Sequence, residues 1–283
     1  MMLASFLEED LVEEIKTDSV GVFYLGDLDS FVLASSASQA RKNVTLYVFT
    51  LDGEKSNYVE NAKRIADLMG WSNTTVNIKT EYFISQIKET LDYIEITKKS
   101  DLAYFYALMR CLPSVKEDCM LCGYGLEAIC GLSKNYQKEH RNNPALFHST
   151  RLGYLAYDQT STSLEKIKHE FGIVVCAPFL TFQKTSEYFM NNDWRQLNVD
   201  ENTGRVMLKV SLRDVYRARI KERGLVDTYT RAFKVSGLNQ LLNEILKSKA
   251  INFNSRRRFI EILMDWRLKR IEKRRLDVTP GPS

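Results

Sequence analysis

The stretch that decides the fold is Val20–Ser36, "VGVFYLGDLDSFVLASS". Its first half is an unbroken apolar run rich in β-branched and aromatic residues, the signature of a strand buried on both faces. "LGDLDS", Leu25–Ser30, then reads as a tight turn, with a helix from Ser30 to about Arg41. Such a strand–loop–helix presents backbone N–H groups, and here a hydroxyl, where the helix N-terminus favours an anion. Gly26 permits close backbone approach and Ser30 can donate to a phosphate oxygen. Asp29 would repel bare phosphate, so beside one it calls for a bridging cation such as Mg²⁺. The plainer alternative is a turn glycine, with Asp29 and Ser30 capping the helix.

The unit repeats outward. "VTLYVFT" is a second buried strand ending at Thr50, and "LDGEKSN" a loop. In "NYVENAKRIADLMGW", Val59, Ala62, Ile65, Ala66 and Met69 share one helical face and Gly70 suits the stop. "NTTVNIKT" alternates as a strand, "DLAYFYALMRCL" is a buried helix ending before Pro113, and "CMLCGYG" is another strand. Connections of this length suit crossovers, so the expected architecture is a parallel sheet flanked by helices. Ligands in such sheets sit at the carboxyl ends of the strands. That singles out the loops Leu25–Ser30, Thr50–Gly53 and Cys122–Glu127.

After about Gly131 helical patterns dominate, among them "SLEKIKHEFG", "TFQKTSEYFMNNDW" and "GRVMLKVSLRDVYRARI". "IVVCAPFL" is a short extended piece between them. The expected organisation is an α/β part over about 18–131, a helical part over 132–242, then basic helices and a tail over 243–283.

Composition sets the remaining bounds. The chain has 283 residues, 44% hydrophobic, with 40 basic and 36 acidic side chains. It can bury a full core, and its charge balance gives no global case for nucleic acid. No apolar run approaches the ~20 residues of a membrane span. The acidic amphipathic start, "MMLASFLEEDLVEEIK", is unlike a signal peptide, and a cytoplasmic protein is expected. Five cysteines, an odd number, do not suggest a disulfide framework. Cys119 and Cys122, three apart on a strand, should face opposite sides, which argues against a shared metal.

"LCGYGLEA" is the second loop with two glycines, Gly123 and Gly125, and an acid, Glu127. On neighbouring strands, the two loops could set Asp29 and Glu127 on either side of one cation, as neutralising a pyrophosphate leaving group requires. Together these segments resemble the synthetase domain of asparagine synthetases, in the PP-loop ATP pyrophosphatase group. "LGDLDSF" resembles that family's "LSGGLDSS", and "LCGYGLEAICGL" its "LSGDGADELFGGY". "ENAKRIADLMG", "FGIVVCAPFL", "KVSLRDVY" and "TRAFKVSG" resemble further family segments, in the same order from Gly21 to Leu242.

The resemblance implies a five-stranded sheet and a catalytic cycle in which ATP activates a carboxylate as an acyl-adenylate. An amine or ammonia then displaces AMP. By residue, it implies a phosphate loop of Leu25, Gly26, Asp27, Leu28, Asp29 and Ser30, with Thr50, Gly123 and Gly125 lining the nucleotide. Asp29 and Glu127 would hold Mg²⁺, and Lys234 would stabilise developing charge; Lys209 and Arg213 would be structural or phosphate-directed. The chain departs from the family at Leu25, Asp27, Tyr124, Ala128, Cys176 and Thr181, where the family has Ser, Gly, Asp, Glu, Arg and Asp. The family's glutaminase domain, with its N-terminal cysteine nucleophile, has no counterpart here, since no Cys precedes Cys111. Glutamine hydrolysis is therefore not expected.

Three readings stay open: an ATP-dependent amide-forming ligase, a pseudoenzyme that binds a nucleotide or a protein partner, and base modification on a nucleic acid. In the first reading Asp27 would replace the carboxylate lost at Tyr124, giving three acids with Asp29 and Glu127. The third reading rests on the basic stretch 256–275, where Ile260, Met264, Leu268 and Ile271 recur at helical spacing.

Overall fold

The computed structural model describes residues 2–54, 57–94, 99–132, 137–156, 159–222 and 238. The chain opens with α1 (Met2–Glu14), then β1 (Ser19–Phe23), α2 (Leu28–Gln39), β2 (Asn43–Leu51), α3 (Asn57–Met69) and β3 (Ser72–Ile78). Next come α4 (Phe83–Tyr93), α5 (Lys99–Cys111), β4 (Cys119–Leu121), α6 (Leu126–Ile129), α7 (Gln137–Asn142), α8 (Pro144–Ala156) and α9 (Gln159–Phe171). The described part ends with β5 (Val174–Cys176), α10 (Pro178–Thr181), α11 (Gln183–Asn191), α12 (Trp194–Asn198) and α13 (Val210–Glu222).

All five strands are parallel, in the order β3-β2-β1-β4-β5. The apolar run of the opening stretch is thus the central strand, paired with β2 from Ser19↔Asn43 to Phe23↔Tyr47 and with β4 at Gly21↔Met120 and Val22↔Leu121. Alternate residues feed two cores. Val20, Val22 and Tyr24 pack with α1, α2 and α13, whereas Phe23 and Leu25 pack with α4, α5 and α9. Cys119 and Cys122 separate in the same way, each into a different core, as strand alternation requires.

Several boundaries differ from the sequence expectation. "IVVCAPFL" is extended as expected and supplies the fifth strand, so the sheet reaches past the expected limit of the α/β part near residue 131. α2 starts at Leu28, two residues before Ser30, because Asp27 is its N-cap. "GRVMLKVSLRDVYRARI" is helical only from Val210, because Lys209 takes a left-handed φ of 60° and an isolated bridge joins Val199 to Val206. A helix cannot pass through a left-handed residue.

The first helix is tied to the far end of the described chain. Asp10, 2% exposed, accepts bonds from the N–H of Thr185 (2.8 Å), the hydroxyl of Thr185 (2.7 Å) and the N–H of Lys184 (3.3 Å). It therefore caps α11 from outside that helix. Lys184 reaches Glu13 (2.5 Å) and Glu9 (3.0 Å), and Arg219 of α13 pairs with Glu8. Asp10→Ala leaves two first-turn donors and a hydroxyl without their acceptor, and is expected to cost about 2 kcal/mol. Urea denaturation would register a lower midpoint at an unchanged slope; a loss below about 0.5 kcal/mol would mean that water replaces the carboxylate.

Candidate nucleotide site

The first loop forms at the carboxyl end of β1. Gly26 takes φ 72°, a conformation open to glycine, and lets the chain turn straight into α2. The Asp27 carboxylate then accepts the N–H of Ser30 (2.9 Å) and its hydroxyl (2.5 Å). The Ser30 Oγ also accepts the N–H of Leu25 at 3.3 Å. Asp27 thus closes the helix end, and its side chain turns inward along the loop. The first-turn N–H groups of Leu28 and Asp29 have no intrahelical acceptor by helix geometry. They are the donors this loop offers an anion.

Two of the expected roles change. The cap is Asp27, not Asp29 or Ser30. The Ser30 hydroxyl, 2% exposed, is already engaged on both sides.

The second loop follows β4 and lies against the first. A Cβ built on Gly123 would sit 3.1 Å from Asp29 Cβ, so the two loops meet in direct contact there. Gly125 has φ 88° and stands at the start of α6, with Leu180 of "APFL" packed on it. Cys122 N–H donates to Cys176 O at 2.8 Å, holding the loop's first residue to β5. Tyr124 packs its ring 4.7 Å from Phe105 and 5.5 Å from Tyr104, centroid to centroid. Where the resemblance expects an Asp, the chain has an aromatic side chain packed on α5. Glu127 is exposed. Thr50 is half-buried at the end of β2, its hydroxyl 3.4 Å from Asn77 Oδ1.

Asp29 does not face open solvent. It is 5% exposed, and Lys209 Nζ lies 2.7 Å from one carboxylate oxygen and 2.5 Å from the other. Burial pushes the Asp29 carboxyl up, to about 7, against the pull of the ammonium. Burial alone would lower Lys209, but Asp29, then Asp27 and Glu127, hold the ammonium charged well above its ordinary range. The pair joins residues 180 positions apart.

Lys209 is aimed by its left-handed backbone. Its N–H donates to Asn198 Oδ1 (3.1 Å), and Asn198 Nδ2 donates to Cys130 O (2.9 Å) and Trp194 O (3.1 Å). The sequence singled out both Lys209 and Asp29, but not their pairing.

A divalent cation fits this arrangement only in part. Both oxygens of Asp29 are taken by Lys209, and the Asp27 carboxylate is turned to Ser30. Among the described residues no group of three or more His, Cys, Asp or Glu is placed to hold a metal. Asp27, Asp29 and Glu127 therefore do not form the expected three-acid cluster. Binding Mg²⁺ at Asp29 would require Lys209 to leave it. The first turn of α2 offers N–H donors at this end of the loop, but the Lys209 charge beside it is matched by Asp29. Lys234 and 256–275 lie outside the described residues.

A parallel sheet with paired glycine loops at the carboxyl ends of its central strands is the frame of the PP-loop class of α/β proteins. The chain belongs to the asparagine synthase family, which matches residues 15–170, more than half of its length. That match spans both loops. No curated protein matches the chain. Two solved structures are similar at 13% identity. One is described as a predicted subunit of tRNA methyltransferase from Methanocaldococcus jannaschii (TM-score 0.36, covering 74% of this chain and 90% of that one). The other is NMN synthetase from Francisella tularensis (TM-score 0.33, covering 99% and 98%). Among the described residues no helix is long and apolar enough to cross a membrane.

Proposed function

We propose that the protein is an ATP-using ligase that activates a carboxylate as its adenylate, releases pyrophosphate, and passes the acyl group to an amine or ammonia. Family membership supports the adenylating chemistry. The observation that carries the reading is the contact of the two loops at Gly123 and Asp29, with Lys209 brought onto Asp29 from the helical part. In this reading Gly26, Leu28, Asp29, Gly123 and Gly125 border the nucleotide phosphates, and Thr50 borders the nucleoside. Asp29 and Glu127 would hold Mg²⁺, for which Lys209 would have to leave Asp29. Lys234 supplies a further positive charge.

Lys209 is central to how the site would work. A buried ammonium 2.5–2.7 Å from a carboxylate keeps that carboxylate neutralised in the absence of other cations. Mg·ATP would offer a cation to Asp29 and anionic oxygens to Lys209, so that each side chain would exchange its present partner for one on the nucleotide.

A second reading is favoured by the same pair: a degenerate site that binds a nucleotide or a protein partner without turnover. Tyr124 and the inward-turned Asp27 also favour it.

Thermal shift with Mg·ATP, followed by measurement of AMP and pyrophosphate in the presence of carboxylate and ammonia panels, separates the two. The ligase reading expects saturable stabilisation by Mg·ATP and release of both products. Absence of binding at millimolar ATP would remove it, and binding without products across the panel would favour the second reading.

A further inference from the structure

Two of the free thiols meet across the sheet edge. Cys119 Sγ and Cys176 Sγ are 3.7 Å apart, on the neighbouring parallel strands β4 and β5. Leu121 pairs with Cys176 and Cys119 pairs with Val174, so the two cysteines sit diagonally on one face. The other three cysteines, Cys111, Cys122 and Cys130, are fully buried. Cys176 is partly exposed, and Cys119 is 5% exposed beneath it. One thiol is thus open to a small oxidant and the other is held in reserve behind it.

We propose that Cys119 and Cys176 form a reversible redox pair that closes to an intramolecular disulfide when the protein meets a peroxide. The step balances as follows. The Cys176 thiolate attacks one peroxide oxygen, breaking the O–O bond and leaving a sulfenic acid and water. The Cys119 sulfur then attacks the Cys176 sulfur, expelling its hydroxyl as a second water. Two thiols are oxidised by two electrons and one peroxide is reduced.

Three observations support this order. The S–H of Cys119 donates to Cys176, which lowers the Cys176 thiol below its ordinary range and raises that of Cys119. Only Cys176 is open enough for the first attack. The sulfurs need to approach by less than 2 Å to reach the bond length of about 2.0 Å. Cys176 is also the residue whose carbonyl holds the Cys122 N–H. The new bond would therefore tie β5 to β4 at the root of the second loop. The inference does not depend on the proposed ligase activity.

The test uses the full-length folded protein. After exposure to hydrogen peroxide, remaining thiols are alkylated under denaturing conditions and peptides are mapped by mass spectrometry. The expected result is a cross-linked peptide pair containing Cys119 and Cys176, lighter by two hydrogen atoms and released by dithiothreitol. Cys111, Cys122 and Cys130 are alkylated as in the untreated protein. Full alkylation of all five, pairing that involves any of the other three, or Cys176 carried only as sulfinic acid would overturn the proposal. In Cys119→Ser the expected product at Cys176 is a sulfenic acid trapped by dimedone. Its absence there, in protein that unfolds at the wild-type temperature, would also count against the order of attack.

Discussion

Lys209→Met is expected to destabilise the protein by about 3–5 kcal/mol at pH 8, because it leaves a buried carboxylate without its cation. The loss should shrink as the pH falls. The Asp29 carboxyl is already raised from its ordinary 3.8 to about 7 by burial. A carboxyl raised in the folded state binds a proton that the unfolded chain has released, so its contribution to stability falls as pH rises from about 4 through the folded value. Without Lys209 the carboxyl rises further and the decline extends to higher pH. In the wild type the lysine acts in the opposite region: its stabilising contribution is complete below its unfolded value and is lost only as pH passes its own raised value. Urea denaturation at pH 5.5 and 8.5 measures both. An equal loss at the two pH values would show that the missing packing of the lysine stem, not the stranded charge, sets the effect. Lys209→Met combined with Asp29→Asn should recover part of the stability at pH 8.5, since both charges are then gone.

Gly125→Ala is expected to cost about 2–5 kcal/mol. The left-handed backbone accounts for about 1–2 kcal/mol of this with an L-residue. Overpacking adds about 1–3 kcal/mol. The added methyl would lie 2.6 Å from Leu180 Cδ2 and no farther from Cγ and Cδ1. Leu180 belongs to α10, which also joins the helical part to β5. Relief must therefore move either the second loop or that connection. Gly125→Ala and Leu180→Ala should be coupled by about 1 kcal/mol or more in a double-mutant cycle, the pair being less damaging than the sum. Simple additivity would mean that the strain is all in the backbone and that Leu180 yields freely.

The parts of this architecture legible in the sequence were those with local causes. β1 and β2 are continuous apolar runs, and α3 carries its buried residues at helical spacing. The position of the first loop follows from Gly26 between strand and helix. α4 has no counterpart in the sequence expectation, although Phe83, Ile87 and Leu91 recur every four residues. The helix start at Leu28 needed Asp27 to be recognised as a cap three residues before Ser30, a pattern present in "DLDS" but ambiguous among three adjacent polar candidates. The Lys209–Asp29 pair was not legible at all. It depends on a left-handed lysine in a segment with helical spacing, and on a separation of 180 residues. Nothing local marks either one.

The placement of α1 has a consequence for how the protein is made. Asp10, Glu9, Glu13 and Glu8 find their partners 171 to 211 positions later, at Lys184, Thr185 and Arg219. These polar contacts of α1 are therefore among the last to form, although the helix also packs on the nearby α2. At translation speeds of about 5–20 residues per second, these carboxylates wait on the order of 10–40 s for their partners. The apolar side of α1, with Leu3, Leu7 and Leu11 each at most 2% exposed in the finished fold, has α2 beside it early and gains α11 and α13 only after that time. Contacts of such long sequence separation also slow the search for the native state after release from the ribosome. The acidic residues interleaved among these leucines keep the waiting helix charged, which is the feature a nascent segment needs to stay apart from its neighbours.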